Sequence, residues 1–206
     1  MLRHAIPDLE LRERLADRGL ECHLLVAEPG AHHSFPSLLR ADLGPLILAA
    51  WAPLKHSLRE VTDEHLRYET WAVVIGPPTG PAVACATLSF YEDQPSYFHT
   101  HFEAVHPSVQ RQGLGRLLYD CLAVWTRFLV FSDVLAREGV LASGGDYCLV
   151  SCIDVDDESD WETARDNKHT HGEFLRKLGF IRAQFDFGQA DDEIAFQRAF
   201  HVPVEA

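Results

Sequence analysis

Ionisable side chains recur at every second position in the run Tyr97-Phe98-His99-Thr100-His101-Phe102-Glu103-Ala104-Val105. A strand period of two puts His99, His101 and Glu103 on one face, with Phe98, Thr100, Phe102 and Ala104 on the other. Such groups in line on a strand need water, a ligand or one another. Histidine changes charge near neutral pH, so His99 and His101 together can take up a proton and pass it on, with Glu103 as a further candidate. A metal site drawn from His99, His101, His169 and His171 also has workable spacing.

A second chemical signal follows at once. Gln110-Arg111-Gln112-Gly113-Leu114-Gly115-Arg116 stands between a strand that ends at Val105 and a helix expected from Arg111 onward. Two glycines two apart let the backbone approach a bulky ligand. The first-turn N–H groups of a helix have no partner within it, and with the helix dipole they form an anion site suited to a pyrophosphate. Arg111 and Arg116 add positive charge at the same end. The pattern is neither G-x-G-x-x-G nor a loop closing on G-K-[ST], so dinucleotide and P-loop sites are excluded.

The elements that would hold these groups can be read from periodicity. Leu114, Leu117, Leu118, Cys121, Leu122, Trp125, Phe128 and Leu129 form the stripe of a helix with one buried face. Trp71 to Ile75, Ala82 to Tyr91 and Tyr97 to Val105 read as three strands of an antiparallel meander, joined by turns at 76–81 and 92–95. Tyr147 to Ile153 is apolar on both faces, as in a strand buried within a sheet. Ahead of these, residues 8 to 19 read as a helix stopped by Gly19 and Cys22 to Ala27 as a strand. Residues 32 to 69 read as helical pieces broken by Pro36, Gly44-Pro45 and Pro53. Phe174-Leu175-Arg176-Lys177-Leu178-Gly179-Phe180 ends a helix on glycine and restarts as a strand. Phe180 to Phe187 and Glu193 to His201 then pair as a closing hairpin.

Composition narrows the class. The chain of 206 residues has 47% hydrophobic residues and a net charge of −13, which fits one domain with a sizeable core and argues against a general nucleic-acid binder. No apolar run reaches bilayer-spanning length and Met1-Leu2-Arg3-His4 opens no signal peptide, so no membrane association and a cytoplasmic location are expected. Five cysteines without a C-x-x-C read as reduced thiols. Cys148 and Cys152 in one strand stand too far apart to bond. The acidic run Asp154 to Asp160 lacks the glycine and the closing glutamate of an EF-hand and reads as a solvated loop.

The segment from Val105 to Leu118 resembles motif A of the GNAT superfamily, the acetyl-CoA-dependent N-acetyltransferases: Gln110, Gly113 and Gly115 match Q/R-x-x-G-x-G/A. Phe174 to Phe180 is similar to the family's motif B, with Asn167 upstream where the family often carries an asparagine. The resemblance covers about residues 70 to 200. It implies a mixed α/β fold, a mostly antiparallel sheet of six to seven strands with one splayed parallel pair, flanked by helices. One domain over 1–206 is expected, with residues 1–70 supplying the first strand and the acceptor-site helices and 71–206 the acetyl-CoA core and hairpin. The 97–105 and 147–153 strands would be the splayed pair, with an insertion between them at 132–145.

The same resemblance implies site roles. The loop from Gln110 through Arg111, Gln112, Gly113, Leu114, Gly115 and Arg116 would hold the pyrophosphate. Phe102, Ala104 and Val105 would line the pantetheine arm, a backbone N–H of 102–105 would polarise the thioester carbonyl, and Asn167 and Phe174 would complete the cofactor site. His-x-His at this offset is similar to arylalkylamine (serotonin-type) N-acetyltransferases, where two histidines remove the amine proton. An amine of pKa about 10 must lose that proton before it attacks a thioester. Leu175 replaces the tyrosine that usually protonates the leaving thiolate, and Tyr147, Cys148 and Tyr119 are the replacements considered, with Tyr147 taken as the third catalytic residue. No metal is expected. Acetyl-CoA as cosubstrate, a small amine as acceptor and a monomer or homodimer complete the reading. A protein lysine or N-terminal acetyltransferase and a non-catalytic acyl-CoA-binding module are the alternatives.

Overall fold

The computed structural model describes residues 1–51, 60–90, 97–131, 145–153, 170–183 and 194–202. The strands among them are β1 (Leu2–Ala5), β2 (Glu21–Val26), β3 (Trp71–Gly76), β4 (Ala84–Phe90), β5 (Tyr97–Thr100), β6 (Ala104–Val105), β7 (Gly145–Ile153), β8 (Ile181–Ala183) and β9 (Ile194–Val202). They form one sheet in the order β1-β2-β3-β4-β5-β7-β9-β8, with β6 also on β4. Every pairing is antiparallel except β5 with β7, which runs parallel from Tyr97 opposite Cys148 to Thr100 opposite Ser151. Nine strands replace the six to seven expected. The exposed N-terminal Leu2–Ala5 segment adds an edge strand with no apolar alternation to announce it, and the 97–105 strand is cut in two.

Helices α1 (Leu9–Ala16), α2 (Phe35–Trp51), α3 (Leu114–Phe131) and α4 (170–177) flank the sheet. Asp8 caps α1 by accepting from Leu11 N at 2.8 Å. The broken helical pieces expected from residue 32 onward are instead one helix as far as Trp51. Pro36 lies in the first turn, where a missing N–H costs nothing. Pro45 is inside α2, which gives up one hydrogen bond while Leu39, Leu43, Leu46, Ile47 and Ala50 are buried on the sheet around it; apolar burial outweighs the loss. Pro53 falls outside the described residues.

Each face of the sheet has its own core. Leu11 and Leu15 of α1, the α3 stripe, and Leu175 and Phe180 pack with Val73, Ala86, Leu88 and Phe98. On the other face α2 packs with Leu25, Ala72, Val74, Cys85 and Ala104. Phe128 departs from its expected burial and is 42% exposed, its ring meeting Trp125 edge-on at 5.4 Å. The closing hairpin is present as β8 on β9; residues 184–193 between them and the acidic run at 154–160 lie outside the described residues, as does the expected 132–145 insertion except for Gly145, which opens β7. No described helix is long and apolar enough to cross a membrane.

Candidate functional site

The site is organised by one extra residue. Leu88 faces Thr100, but three residues back along β4 Cys85 faces Ala104, four residues on. The surplus is a β-bulge over 101–103. Thr87 holds it from β4: its carbonyl accepts from His101 N at 3.3 Å and its hydroxyl from Phe102 N at 3.1 Å. Trp51 at the end of α2 stacks on Phe102 with ring centroids 5.5 Å apart, and its indole N–H donates to the Glu103 carbonyl at 3.0 Å.

The bulge changes the expected parity. Phe98 and Thr100 belong to the α3 face, but Phe102 and Ala104 pack on the α2 face. Glu103 therefore leaves the face of His99 and His101 and points the other way. The expected line of three ionisable groups becomes two groups on opposite faces, because a surplus residue inverts the alternation beyond it.

On the α2 face, His101 Nδ1 lies 2.8 Å from Oε1 of Glu69, whose side chain is only 2% exposed. Ser89 Oγ donates to Oε2 of the same carboxylate at 3.0 Å. The carboxylate makes Nδ1 the donor, so Nε2 is the nitrogen able to accept a proton. His99, opposite Ser89 in the ladder, is buried and its ring lies 6.3 Å from that of His101 at an interplanar angle of 25°. Glu69 was invisible in the sequence. It stands two residues ahead of the apolar β3, where a polar residue normally reads as turn; its burial beside Ser89 is the only signal.

On the α3 face, Glu103 Oε1 accepts from Ser151 Oγ at 2.9 Å and from Thr100 Oγ1, and Oε2 lies 3.3 Å from His171 Nε2 of α4. Tyr119 OH donates to Ser151 at 3.2 Å. Burial pushes the Glu103 carboxyl up, but the hydrogen bond and charge of His171, with hydrogen bonds from Thr100 and Tyr119, outweigh it and hold the group below the usual glutamate range. Burial, and next the Glu103 carboxylate, push the Tyr119 phenol well above its ordinary value.

The four histidines weighed as an alternative metal site, His99, His101, His169 and His171, are not brought together among the described residues. His171 is on the opposite face from the first two, and His169 lies outside the described residues. Cys85 sits under the bulge, its thiol pushed up to about 12 by burial, which makes it inert as a nucleophile.

At the glycine turn, α3 starts at Leu114, three residues later than expected. Arg111 and Gly113 both have positive φ, at 62° and 80°, and neither continues a right-handed helix. Leu117 N bonds back to Gly113 O at 3.1 Å, so the N–H groups just before it form the open first turn. Gln110 Nε2 donates to the Val105 carbonyl at 3.0 Å, and Gln112 Nε2 to that of Ser108 at 3.3 Å. Arg18 of the α1 end reaches over to donate to Gln112 O at 2.8 Å. With Arg14, Asp17, Gly113, Arg116 and Leu117 it lines a cleft of about 310 Å³ beside the turn. Neither Arg14 nor Arg18 was singled out in the sequence, since their nearness to the turn is set by α1 packing beside α3.

Several expected cofactor residues have other duties. The Leu114 side chain is core, and Phe102 and Ala104 pack toward α2, so only their backbones face the gap. Phe174 lies against Gly115, where an added Cβ would come within 3.2 Å of its ring; this glycine admits a neighbouring helix. Phe102 N and Glu103 N are already bonded, to Thr87 Oγ1 and His101 O. His106 N bonds to the carbonyl of Val83, the residue just ahead of β4, so by strand alternation the Val105 N–H points away from β4, into the gap beyond the last β5–β7 pair. Tyr147 stands opposite Phe200 in β7; its side chain, and Asn167 altogether, lie outside the described residues.

No protein-family model matches the sequence, and no curated protein matches it. Among solved structures, an acetyltransferase from Streptococcus agalactiae 2603 is similar with a TM-score of 0.55 at 12% identity, over 89% of this chain and 99% of that one. A GNAT-family acetyltransferase from Staphylococcus aureus MU50 gives 0.52 at 9%, over 86% and 98%. ElaA from Escherichia coli gives 0.51 at 14%, over 87% and 99%. The chain has the GNAT fold. The arylalkylamine resemblance rests on the His-x-His spacing and gains nothing from these comparisons.

Proposed function

We propose that this chain is an acetyl-CoA-dependent N-acetyltransferase acting on a primary amine, by direct attack with both substrates bound. The observation that carries the reading is the bulge at 101–103. It ends the parallel pair just ahead of the glycine turn and sends Glu103 to the α3 face, leaving a carboxylate-held imidazole, His101, on the α2 face. The turn amides from Gly113 to Arg116, with Arg111, take the pyrophosphate. The pantetheine arm follows Val105, whose N–H is aimed into the gap and polarises the thioester carbonyl as the tetrahedral oxyanion forms. His101, oriented by Glu69, takes the ammonium proton directly or through water, and His99 beside it extends the path. A small amine is the acceptor favoured by this reading, because α2 and Trp51 cover the bulge on the face where His101 lies.

Thiol release from acetyl-CoA, measured against small amines and lysine peptides from about pH 6 to 9, tests it. Turnover with a small amine whose acid limb is lost in His101→Ala supports the reading. Turnover with peptides alone overturns the acceptor class. Acetyl-CoA binding without turnover on any amine overturns the activity.

A further inference from the structure

Acyl transfer to an amine has two proton problems, and the α2-face histidines answer only the first. As the C–N bond forms and the C–S bond breaks, sulfur leaves with the electron pair. A thiol of pKa about 8.5 leaves as a thiolate that is better stabilised if a proton arrives with the bond cleavage. Leu175 occupies the motif B position where a tyrosine would supply that proton, and it is wholly buried in the α3-face core.

The replacements considered from sequence fare poorly on the α3 face. The Tyr119 hydroxyl is buried, donates to Ser151, and is made less acidic by burial and by Glu103. Its proton is already committed to Ser151, so it is a poorer donor than an ordinary phenol. Cys148, opposite Tyr97 in the paired part of the sheet, lies three pairs from the point of divergence.

His171 is placed differently. It lies one helical turn before Leu175, so α4 presents both on the same side. Its imidazole is 35% exposed rather than sealed in the core, and Nε2 is held 3.3 Å from Glu103 Oε2. Glu103 belongs to the bulge, and through Ser151 it bridges the last residues that β5 and β7 share. An acyl arm that enters over the glycine turn and follows Val105 ends where the strands meet again, and this pair stands at that junction. Among the described residues, the groups facing the imidazole are the Glu103 carboxylate and the ring of Phe174, 6.3 Å away; Tyr119 lies behind both.

We infer that His171, oriented by Glu103, is the proton donor to the departing coenzyme A thiolate. The inference rests on the acetyltransferase reading. The ammonium proton first leaves by way of His101 and His99; in this step the free amine nitrogen forms its bond to the carbonyl carbon, and its second proton passes to the His101 imidazole, neutral again. The C–S bond then breaks toward sulfur, and the Nδ1–H of the His171 imidazolium passes to sulfur to give the free thiol. Glu103 keeps the Nε2 proton in place. His171 regains its proton from water and His101 gives its own back, so no net charge accumulates on the protein. The two faces of the bulge thus divide the chemistry: one removes a proton from the nucleophile, the other delivers one to the leaving group.

The test is the pH dependence of kcat in wild type, His171→Gln, His171→Ala and His101→Gln, with acetyl-CoA affinity measured by calorimetry on each. The expected result for both His171 variants is a loss of kcat on the order of a hundredfold with the alkaline descending limb gone. Acetyl-CoA affinity stays within about twofold and the acid limb is retained. His101→Gln should do the reverse and lose the acid limb. An alkaline limb that persists in the His171 variants overturns the proposal, as does an affinity loss that accounts for the whole fall in rate. A wild type that binds acetyl-CoA but releases no thiol with any amine overturns the acetyltransferase reading itself, an outcome read before any variant is made.

Discussion

The two sides of the 97–105 strand each join a buried glutamate to a half-exposed histidine, and they do so by different means. On the α2 face Glu69 comes from outside the strand, and its hydrogen-bond partners are Ser89 and His101. On the α3 face Glu103 is a residue of the bulge itself and is bound by Thr100, Ser151 and His171, with Tyr119 behind them. The Glu103 carboxylate is held ionised by His171 first and then by the hydroxyls of Thr100 and Tyr119. Glu69 meets one hydroxyl donor and one imidazole. The α3 group is therefore also a structural tie across the divergence of β5 and β7, whereas Glu69 joins Ser89 of β4 to His101 of the bulge.

The largest expected effect breaks the α3 tie. Glu103→Ala removes the acceptor shared by Ser151, Thr100 and His171 and should cost about 3 kcal/mol in urea unfolding. Glu69→Ala, beside a half-exposed imidazole that water can reach, should cost about 1–2 kcal/mol. Equal costs would erase the distinction between the faces. The Glu103 tie also has a pH signature. Its folded carboxyl lies below the unfolded value, so its contribution is present above that unfolded value and is lost as pH falls through the folded one. The stability difference between wild type and Glu103→Gln, followed by thermal melts, should therefore be constant near neutrality and shrink in acid. A difference that grows on acidification would contradict an ionised Glu103.

The next effects sharpen the α2 side. His101→Ala should lower the rate with an amine at pH about 7 on the order of a hundredfold. Glu69→Gln, which keeps the shape but removes the charge, should cost about tenfold and move the acid limb to lower pH, since an imidazolium without its carboxylate is less favoured. A Glu69→Gln profile superimposable on wild type would reduce that glutamate to packing. The smallest effect lies at the glycine turn. Arg18→Ala loses one exposed hydrogen bond to the Gln112 carbonyl and should raise the acetyl-CoA KM by about fivefold with kcat unchanged, the scale of an exposed bond of about 1 kcal/mol.

Local sequence was a good guide wherever one element made its own case. The α3 stripe, the positive-φ glycine at 113 and the Gly179 stop, whose φ is 86°, each follow from residues within a turn or two. The α2 prolines misled because a chain-local rule assigns them a cost and says nothing of the burial on the sheet that offsets it. The bulge misled more deeply. The alternation of His99, His101 and Glu103 looks regular, and only the ladder to β4, with Thr87 holding two successive amides, shows that a residue is surplus.

The sequence by itself determined the glycine turn opening an amphipathic helix, the helix end at Gly179, and a His-x-His strand ahead of both, because these depend on φ preferences and on spacing along one chain. Tertiary structure alone decided which carboxylate each histidine meets. Glu69 reaches His101 from 32 residues away, and Glu103 meets His171 because a bulge inverted its side of the sheet. A partnership between distant side chains is set by register and packing, and neither is written in the spacing of the residues that take part.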